Sequence, residues 1–305
     1  MILDDSYFTP QEEILFALRK LFMDWGFQAH PKLKWEDYDF YAQHKAFLKN
    51  SPILSFHDYN GTLLALRPDV TLSLVRRHSS TDSLRKWYYE ETVYRVPPGA
   101  TGFEEDLQTG VEYLGSLQKE QEMEWIILAV ESLKMLSNRS LLDLSHTALL
   151  PGLLEAYRIP EERTPWFIET FQKRNLAELR RWIPHSEPLR QLASHYHLIR
   201  EGLSLLATLP QNPYLESVLT QLTPIVDNLQ KVNPSILASL RLDSAMEPNI
   251  TYYKGILMKG YIPQAKEAIL NGGCYDPLLE KLEKTGRGFG FALSIPMIQK
   301  EGPLR

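Results

Sequence analysis

The sequence predicts an α+β fold, in which helices flank an antiparallel sheet and an all-helical insertion divides the strands along the chain. Three observations support this fold class. Strand-like segments with hairpin signals occur before residue 115, helical periodicity runs from about 149 to 232, and strand-like segments return after 237. We therefore assign residues 1–140 and 237–305 to one domain and residues 141–236 to a helical insertion.

The composition excludes several classes of protein. The chain has 305 residues, of which 44% are hydrophobic and 23% charged, with a net charge of −5. This acidic balance argues against nucleic acid as the main partner, because phosphate backbones select basic surfaces. The single cysteine, Cys274, excludes an intrachain disulfide and fits a reducing compartment. We find no signal peptide and no apolar run long enough to span a bilayer, so we expect a soluble, cytoplasmic protein without membrane contact.

The N-terminal segment predicts a helix with clear boundaries. Thr9 is a good N-cap, Pro10 suits the first turn, and Glu12 lies three residues after the cap. Apolar residues then follow with helical spacing as far as Trp25, and Gly26 is typical of a helix end.

A hairpin and a short helix come next. Segments 53–57 and 62–66 flank the turn 58–61, which contains Asn-Gly, a strong signal for a tight turn between two strands. The sequence Arg-Pro-Asp then interrupts the pattern, and residues 70–77 are predicted to be helical, with Asp69 as the candidate cap.

Two long strands, 84–95 and 103–114, follow, with the loop at 97–99 between them and an amphipathic helix at 118–136 after them. Because alternate side chains of a strand share a face, the second strand places a row of polar groups on one side. This row consists of Glu104, Asp106, Gln108 and Glu112. Later strands are predicted at 237–242, 250–261 and 289–295.

Common catalytic and metal-binding patterns are weak in this chain. His195 and His197 lack a cysteine or a spaced acid that would complete a zinc site, so we predict no metal site. There is no Gly-x-Ser-x-Gly motif, and Cys274 has no candidate base nearby in sequence. The glycine-rich segment 286–290 lacks the Lys-Ser/Thr of a phosphate-binding loop, so we interpret it as a tight turn before a strand.

Two groups of polar residues remain as candidates for a binding site. Asp69 and Thr71 lie at a strand-to-helix junction, where a plain helix cap is the alternative. The polar row on the second long strand faces the same question, since an exposed sheet face explains it equally well. Together with Tyr252 and Tyr253, however, these carboxylate, amide, hydroxyl and phenol groups suit a small zwitterion.

The order of these motifs resembles the catalytic domain of class II aminoacyl-tRNA synthetases, in particular histidyl-tRNA synthetase. It resembles even more closely the short synthetase-like paralogues that act as regulatory subunits of ATP phosphoribosyltransferase. The resemblance covers residues 9–136 and 237–297 and depends on five segments: LRPDVT (66–71), KWYYEETVYR (86–95), DLQTGVEYLG (106–115), TYYKG (251–255) and GGCYD (272–276).

The resemblance implies a class II synthetase-like fold and a histidine-binding pocket. Asp69 and Thr71 would hold the α-ammonium group, and Glu112 with two tyrosines would contact the imidazole ring. Arg95 corresponds to an arginine that contacts the carboxylate and the α-phosphate in a synthetase. The implied histidine-binding residues are Asp69, Thr71, Arg95, Gln108, Glu112, Tyr252, Tyr253 and Tyr275.

The departures from the synthetase pattern concern cations. Met297, Pro248 and Cys274 stand where the family has arginines, and Glu104 and Asp106 stand where it has cations and an adenine-stacking aromatic residue. Adenylation develops negative charge that preorganised cations stabilise, so we predict no amino-acid activation. The sequence ends at residue 305, soon after these motifs, so we expect no anticodon-binding domain and no tRNA binding.

The function implied by the resemblance is regulatory. The chain would activate a short-form ATP phosphoribosyltransferase catalytic subunit and mediate feedback inhibition by histidine, without a metal or cofactor of its own. It would form a homodimer through the segment near residues 27–38, within a larger hetero-oligomer. The alternatives are a divergent histidyl-tRNA synthetase-like enzyme and a stand-alone histidine sensor. For the helical insertion, structural cover and partner contact are equally open.

Overall fold

A nine-stranded sheet forms the centre of the computed structural model, which describes residues 8–31, 34–49, 51–78, 83–96, 100–247 and 250–299. The spatial order of the strands is β1-β5-β6-β12-β11-β10-β7-β9-β8. Their bounds are β1 Gln28–Ala29, β5 Arg85–Arg95, β6 Glu104–Gly115, β7 Leu141–His146, β8 His197–Leu198, β9 Leu240–Leu242, β10 Ile256–Tyr261, β11 Leu270–Cys274 and β12 Arg287–Ser294.

The middle of this sheet is antiparallel, as predicted. Strands β5 and β6 pair along their whole length, from Arg85 opposite Leu114 to Arg95 opposite Glu104. Among the described strands, parallel pairing occurs between β1 and β5 and between β7 and β9, so the sheet as a whole is mixed. The predicted α+β fold, with helices flanking the sheet, is confirmed.

A small second sheet lies beside the first and contains the predicted hairpin. Its strands are β2 (Trp35–Asp37), β3 (Ser55–His57) and β4 (Leu63–Leu66), in the order β2-β4-β3. In the hairpin turn the Asp58 carboxylate accepts hydrogen bonds from the backbone N–H groups of Asn60 and Thr62. Gly61 has φ +83°, a conformation that other residues rarely adopt, which explains the Asn-Gly sequence.

The helices begin and end close to the predicted signals. Thr9 and Glu12 form the reciprocal capping box of α1, and the Asp69 side chain accepts from the backbone N–H of Leu72 at the start of α3. The helices are α1 Pro10–Asp24, α2 Tyr38–Gln43, α3 Val70–Arg77, α4 Lys119–Leu136, α5 Leu149–Ala156, α6 Thr164–Gln172, α7 Leu176–Trp182, α8 Glu187–Ser194, α9 Ile199–Ala207, α10 Pro213–Val232, α11 Asp276–Lys281 and α12 Ile295–Gln299. Among the described residues, no helix combines the length and apolarity that a bilayer crossing needs.

The main core lies between one face of the central sheet and helices α1 and α4. Phe22 of α1 and Trp125 of α4 are fully buried, and the Trp125 ring lies 4.9 Å from the ring of Phe289 on β12. Val111 and Tyr113 of β6 point into this core. The alternation of β6 therefore turns Gln108, Gly110 and Glu112 to the opposite face of the sheet, as the sequence predicted.

The segment predicted as an all-helical insertion, residues 141–236, is mainly but not entirely helical. It begins with β7, which lies between β10 and β9 inside the central sheet, and it also contains the short edge strand β8. The prediction missed β7 because a short apolar run has no periodicity that separates a buried strand from a helix. Helices α5 to α10 follow as expected, and the division into domains at 140 and 236 remains a prediction.

The last part of the chain also differs from the sequence prediction. The predicted strand at 237–242 begins as a 3₁₀ helix, Pro234–Ser239, and the predicted strand at 250–261 is extended only in β10. Strand β11, which carries the Gly-Gly-Cys motif, was not predicted as a strand, because glycine has low strand propensity. The predicted loop at 97–99 and the position of Pro248 lie outside the described residues.

Candidate functional site

A cavity of about 680 Å³ opens on the face of the central sheet that bears Glu112. Residues of β6, β10, β11 and β12 line it, together with the start of α3 and the tyrosine pair before β10. The structure brings together all the residues that the resemblance assigned to one pocket: Asp69, Thr71, Arg95, Gln108, Glu112, Tyr252, Tyr253 and Tyr275. That histidine binds among them stays a prediction.

Glu112 is the most constrained side chain of this cavity. It is 2% exposed, and each of its carboxylate oxygens accepts one hydroxyl hydrogen bond. Thr71 Oγ1 donates to Oε1 at 2.5 Å, and the Tyr275 hydroxyl donates to Oε2 at 2.6 Å. Two side chains that are far apart in the sequence therefore fix the orientation of one carboxylate.

The protonation of Glu112 is shifted by its surroundings. Burial is the largest influence and raises the pKa of the carboxyl group from 4.5 to about 8. The hydrogen bonds from Thr71 and Tyr275 oppose this increase, and the charge of Asp69 adds to it. At neutral pH Glu112 can thus hold a proton, which it can release when a cation or an N–H donor approaches.

Glycines of β12 create the space for Glu112 and Tyr275. Gly290 lies opposite Glu112 in the β6–β12 pairing, and a Cβ atom on it would lie 2.0 Å from Glu112 Oε2. A Cβ atom on Gly288 would lie 2.2 Å from a ring carbon of Tyr275. The glycine-rich segment 286–290 is thus more than the predicted tight turn, since only Gly286 has a positive φ. The strand spacing of Gly288 and Gly290 is the signal that sequence reasoning missed.

Asp69 acts both as a helix cap and as a cavity residue. The cap that the sequence offered as an alternative to a binding site therefore does not exclude Asp69 from the cavity. Asp69 Oδ1 accepts from the backbone N–H of Leu72 at 2.7 Å. The Tyr252 hydroxyl lies 3.2 and 3.3 Å from the two carboxylate oxygens. Arg95 approaches Oδ2 at 3.5 Å, which leaves the carboxylate held from three sides at the cavity wall.

Arg95 and Gln108 are held by their own neighbours. Arg95 Nε donates to the backbone carbonyl of Pro68 at 2.6 Å, and the side chain is 40% exposed. Gln108 Nε2 donates to Asp106, whose second oxygen accepts from the hydroxyl of Ser294. Asp106, a member of the predicted polar row, therefore orients a cavity amide.

Three tyrosines form the aromatic wall of the cavity. The Tyr252 ring lies 5.2 Å from Tyr253 and 6.3 Å from Tyr275, and both pairs are close to perpendicular. Burial raises the pKa of each phenol above its ordinary value, so all three stay neutral donors at physiological pH. Neutral phenols beside carboxylates suit a flat ring that carries N–H groups.

The outer end of the cavity, where Lys266 and Glu267 are exposed, holds charged residues that sequence reasoning did not single out, and we call the part around the buried Glu112 its inner end. Lys259 of β10 and Lys266 of the following loop line the outer end, together with Glu267. Burial lowers the pKa of Lys259. Met297, at a position where the resemblance places an arginine, also lines the cavity, and Arg95 is the one arginine among its described lining residues.

The pKa of Glu112 predicts a specific dependence of stability on pH. Between about pH 4.5 and 8 the folded chain holds a proton on Glu112 that the unfolded chain has released, so this contribution to the free energy of unfolding falls as pH rises. Glu112→Gln stays neutral. The stability of the wild-type chain relative to this variant should fall by more than about 1 kcal/mol between pH 5 and 9 in denaturant titrations.

Glu104→Gln is the matched control for this measurement, because Glu104 is an exposed acid on the same strand. Its stability should follow the pH profile of the wild type. Parallel profiles for the wild type and Glu112→Gln would show that Glu112 has an ordinary pKa.

Comparisons with known proteins agree with this fold. The profile of the histidyl-tRNA synthetase family matches residues 4–298. The ATP phosphoribosyltransferase regulatory subunit of Bacillus cereus strain AH187 is 25% identical in an alignment 308 residues long, including gaps. The alignment covers 96% of this chain and 72% of that protein. The regulatory subunit of Oceanobacillus iheyensis is also 25% identical, over 94% of this chain and 73% of its own length.

Solved structures share the architecture. An ATP phosphoribosyltransferase regulatory subunit/histidyl-tRNA synthetase from Bacillus halodurans C superposes with a TM-score of 0.78 at 21% identity, covering 100% of this chain and 82% of the other. The similarity shows that the fold is of the class II synthetase type, as predicted. With the family profile matching almost the whole chain, the protein belongs to the histidyl-tRNA synthetase family.

Proposed function

We propose that this chain is a regulatory subunit that works with a short-form ATP phosphoribosyltransferase catalytic subunit. In this role it permits the condensation of ATP with phosphoribosyl pyrophosphate and transmits inhibition by histidine. One observation carries the proposal: the buried side of the cavity gathers carboxylate, hydroxyl, amide and phenol groups that suit a small amino acid, whereas Arg95 is the one arginine among the lining residues that the structure describes. The names of the relatives from Bacillus cereus and Oceanobacillus iheyensis support it.

The partner is supported by a structural neighbour. An ATP phosphoribosyl transferase (HisG:HisZ) complex from Thermotoga maritima contains a chain that matches with a TM-score of 0.68 at 20% identity, covering 93% of this chain and 97% of the other. We infer that this chain likewise assembles with a catalytic phosphoribosyltransferase, in the cytoplasm.

Histidine fits the inner end of the cavity group by group. Asp69 offers a carboxylate to the α-ammonium group, with Thr71 and Gln108 beside it as hydrogen-bonding groups. Glu112, flanked by Tyr252 and Tyr275, offers an acceptor to an imidazole N–H. Arg95 remains the candidate for the carboxylate group, and its exposed terminal nitrogens can donate to it.

Feedback inhibition requires that histidine bind one state of the assembly more tightly than another. The site is suited to this, because Glu112 of β6 accepts hydrogen bonds both from Thr71 of α3 and from Tyr275, the residue after β11. A ligand that draws on Thr71, Glu112 and Tyr275 changes the packing between these elements.

We further propose a homodimer through the segment near residues 27–38, as the resemblance implies. Trp35 of β2 is 50% exposed, and its ring meets Phe56 of β3 edge to face at 6.2 Å. Tyr59, in the adjoining turn, is 95% exposed. These aromatic groups on the small sheet form an apolar surface of the kind that subunit contacts cover.

Reconstitution with a short-form catalytic subunit tests the proposed role. Adding this chain should raise the turnover of ATP and phosphoribosyl pyrophosphate, and histidine should inhibit the complex. Glu112→Gln cannot release a proton and become a charged acceptor when histidine binds, so the histidine concentration for half-inhibition should rise at least about tenfold while activation is retained. Glu104→Gln should behave as wild type.

Two outcomes would contradict this prediction. Turnover unchanged by the chain would exclude the regulatory role, and if the chain still bound histidine it would be a sensor for another protein. Wild-type inhibition of the Glu112→Gln complex would place the histidine site elsewhere.

Isotope exchange between ATP and pyrophosphate separates the proposal from a divergent synthetase. Arg95 is the one arginine among the described cavity residues, so the charge that develops at the α-phosphate lacks its preorganised partners. Histidine-dependent exchange should therefore stay at the level of a blank, with a histidyl-tRNA synthetase as positive control. Measurable exchange that depends on histidine would contradict the proposal and favour the divergent synthetase.

A further inference from the structure

Three potential metal ligands come together where α8 ends and α9 begins. One ligand atom each from His195, His197 and Glu201 lies within 4.8 Å of the other two. His197 is 1% exposed, whereas His195 and Glu201 are exposed. The sequence analysis predicted no metal site because no spaced acid was found, and that prediction overlooked Glu201, four residues after His197 on the first turn of α9.

A single backbone carbonyl orients both histidine rings. The carbonyl oxygen of Gln191 lies 2.8 Å from His197 Nε2, and it accepts from the hydroxyl of Ser194 at 2.7 Å. A carbonyl only accepts, so His197 Nε2 carries the proton and, in the neutral ring, Nδ1 keeps its lone pair. Since the Ser194 proton is directed to the carbonyl, Ser194 Oγ accepts from His195 Nδ1 at 2.7 Å. The lone pair of His195 is then on Nε2.

The remaining nitrogen of His197 lacks a hydrogen bond. Nδ1 is buried without a hydrogen-bonding partner, although Glu201 Oε1 lies 3.3 Å away. A lone pair that faces a carboxylate oxygen at this distance is unfavourable unless a positive charge lies between them. A proton on His197 Nδ1 would supply this charge and form an ordinary ion pair with Glu201. A metal ion would also supply it and would bind His195 as well.

We propose that His195 Nε2, His197 Nδ1 and the Glu201 carboxylate bind a divalent transition-metal ion of the zinc class, with water as the fourth ligand. Zinc takes histidine nitrogen and carboxylate oxygen in tetrahedral geometry. The Gln191 carbonyl holds the second nitrogen of His197 directly and that of His195 through the Ser194 hydroxyl. Zinc-binding histidines require hydrogen bonds of this kind to their second nitrogen. The ligand atoms lie up to 4.8 Å apart, so closing them around the ion requires rotation of the exposed His195 and Glu201 side chains.

The metal site is connected to the cavity through Tyr196. This residue lies between the two histidines in sequence and lines the cavity, and its ring packs against the guanidinium groups of Arg174 and Arg241 at 4.0 and 4.4 Å. A bound ion holds the backbone on both sides of Tyr196. It therefore stabilises the part of the cavity wall that this tyrosine forms.

Metal titration of the full chain, without an affinity tag and after treatment with a chelator, tests the proposal. Calorimetry should give one zinc ion per chain, and cobalt should produce the visible absorption bands of a four-coordinate site. His195→Asn and Glu201→Gln each remove one exposed ligand, so both should weaken zinc binding at least about tenfold. Their thermal unfolding without metal should match that of the wild type.

His185→Asn is the matched control, because His185 is an exposed histidine outside the cluster. It should bind zinc as the wild type does. The proposal is overturned if zinc does not bind in a one-to-one ratio, or if binding survives undiminished in His195→Asn and Glu201→Gln. Either result would leave His197 and Glu201 as a plain ion pair.

Discussion

The buried carboxylate of Glu112 is the constraint around which the site is organised. A carboxylate with 2% exposure is costly unless donors reach both oxygens, and Thr71 and Tyr275 meet this requirement from opposite sides. Its approach to β12 requires a residue without a side chain at Gly290. The Asp69 cap in turn fixes the start of α3, which carries Thr71. Glu112 therefore contacts helix α3 through Thr71 and requires glycine at position 290 of β12.

The cavity is chemically divided along its length. At the inner end, carboxylates and neutral phenols offer acceptors and flat surfaces to a nitrogen-rich ligand. At the outer end, Lys259, Lys266 and Glu267 mix charges of both signs, where an adenylating enzyme concentrates cations. Under the proposed function, the fold retains recognition of an amino acid and loses its activation. In this view a regulatory subunit keeps the half of the site that senses a metabolite.

Local signals explain what the sequence could predict. The capping box at Thr9, the Asn-Gly turn and the alternation along β6 each depend on neighbouring residues, and all were confirmed. The grouping of the cavity residues came from the family resemblance, because Asp69, Glu112 and Tyr275 lie far apart in the chain.

The elements that were missed depend on long-range contacts. Strand β7 is recognisable only by its pairing with β10 and β9, and Lys259 by the cavity that β10 borders. The need for glycine at Gly290 follows from an acid on another strand. Glu201 is an exception, because it lies only four residues after His197 and could have been found in the sequence. The hydrogen bonds that orient both histidine rings at the Gln191 carbonyl appear only in the folded chain.

A crystal structure of the chain with bound histidine tests the central claim most directly. We predict that the ligand occupies the inner end of the cavity, with its ammonium group beside Asp69 and its imidazole within hydrogen-bonding distance of Glu112. Histidine bound at a subunit interface, with this cavity occupied only by water, would contradict the account.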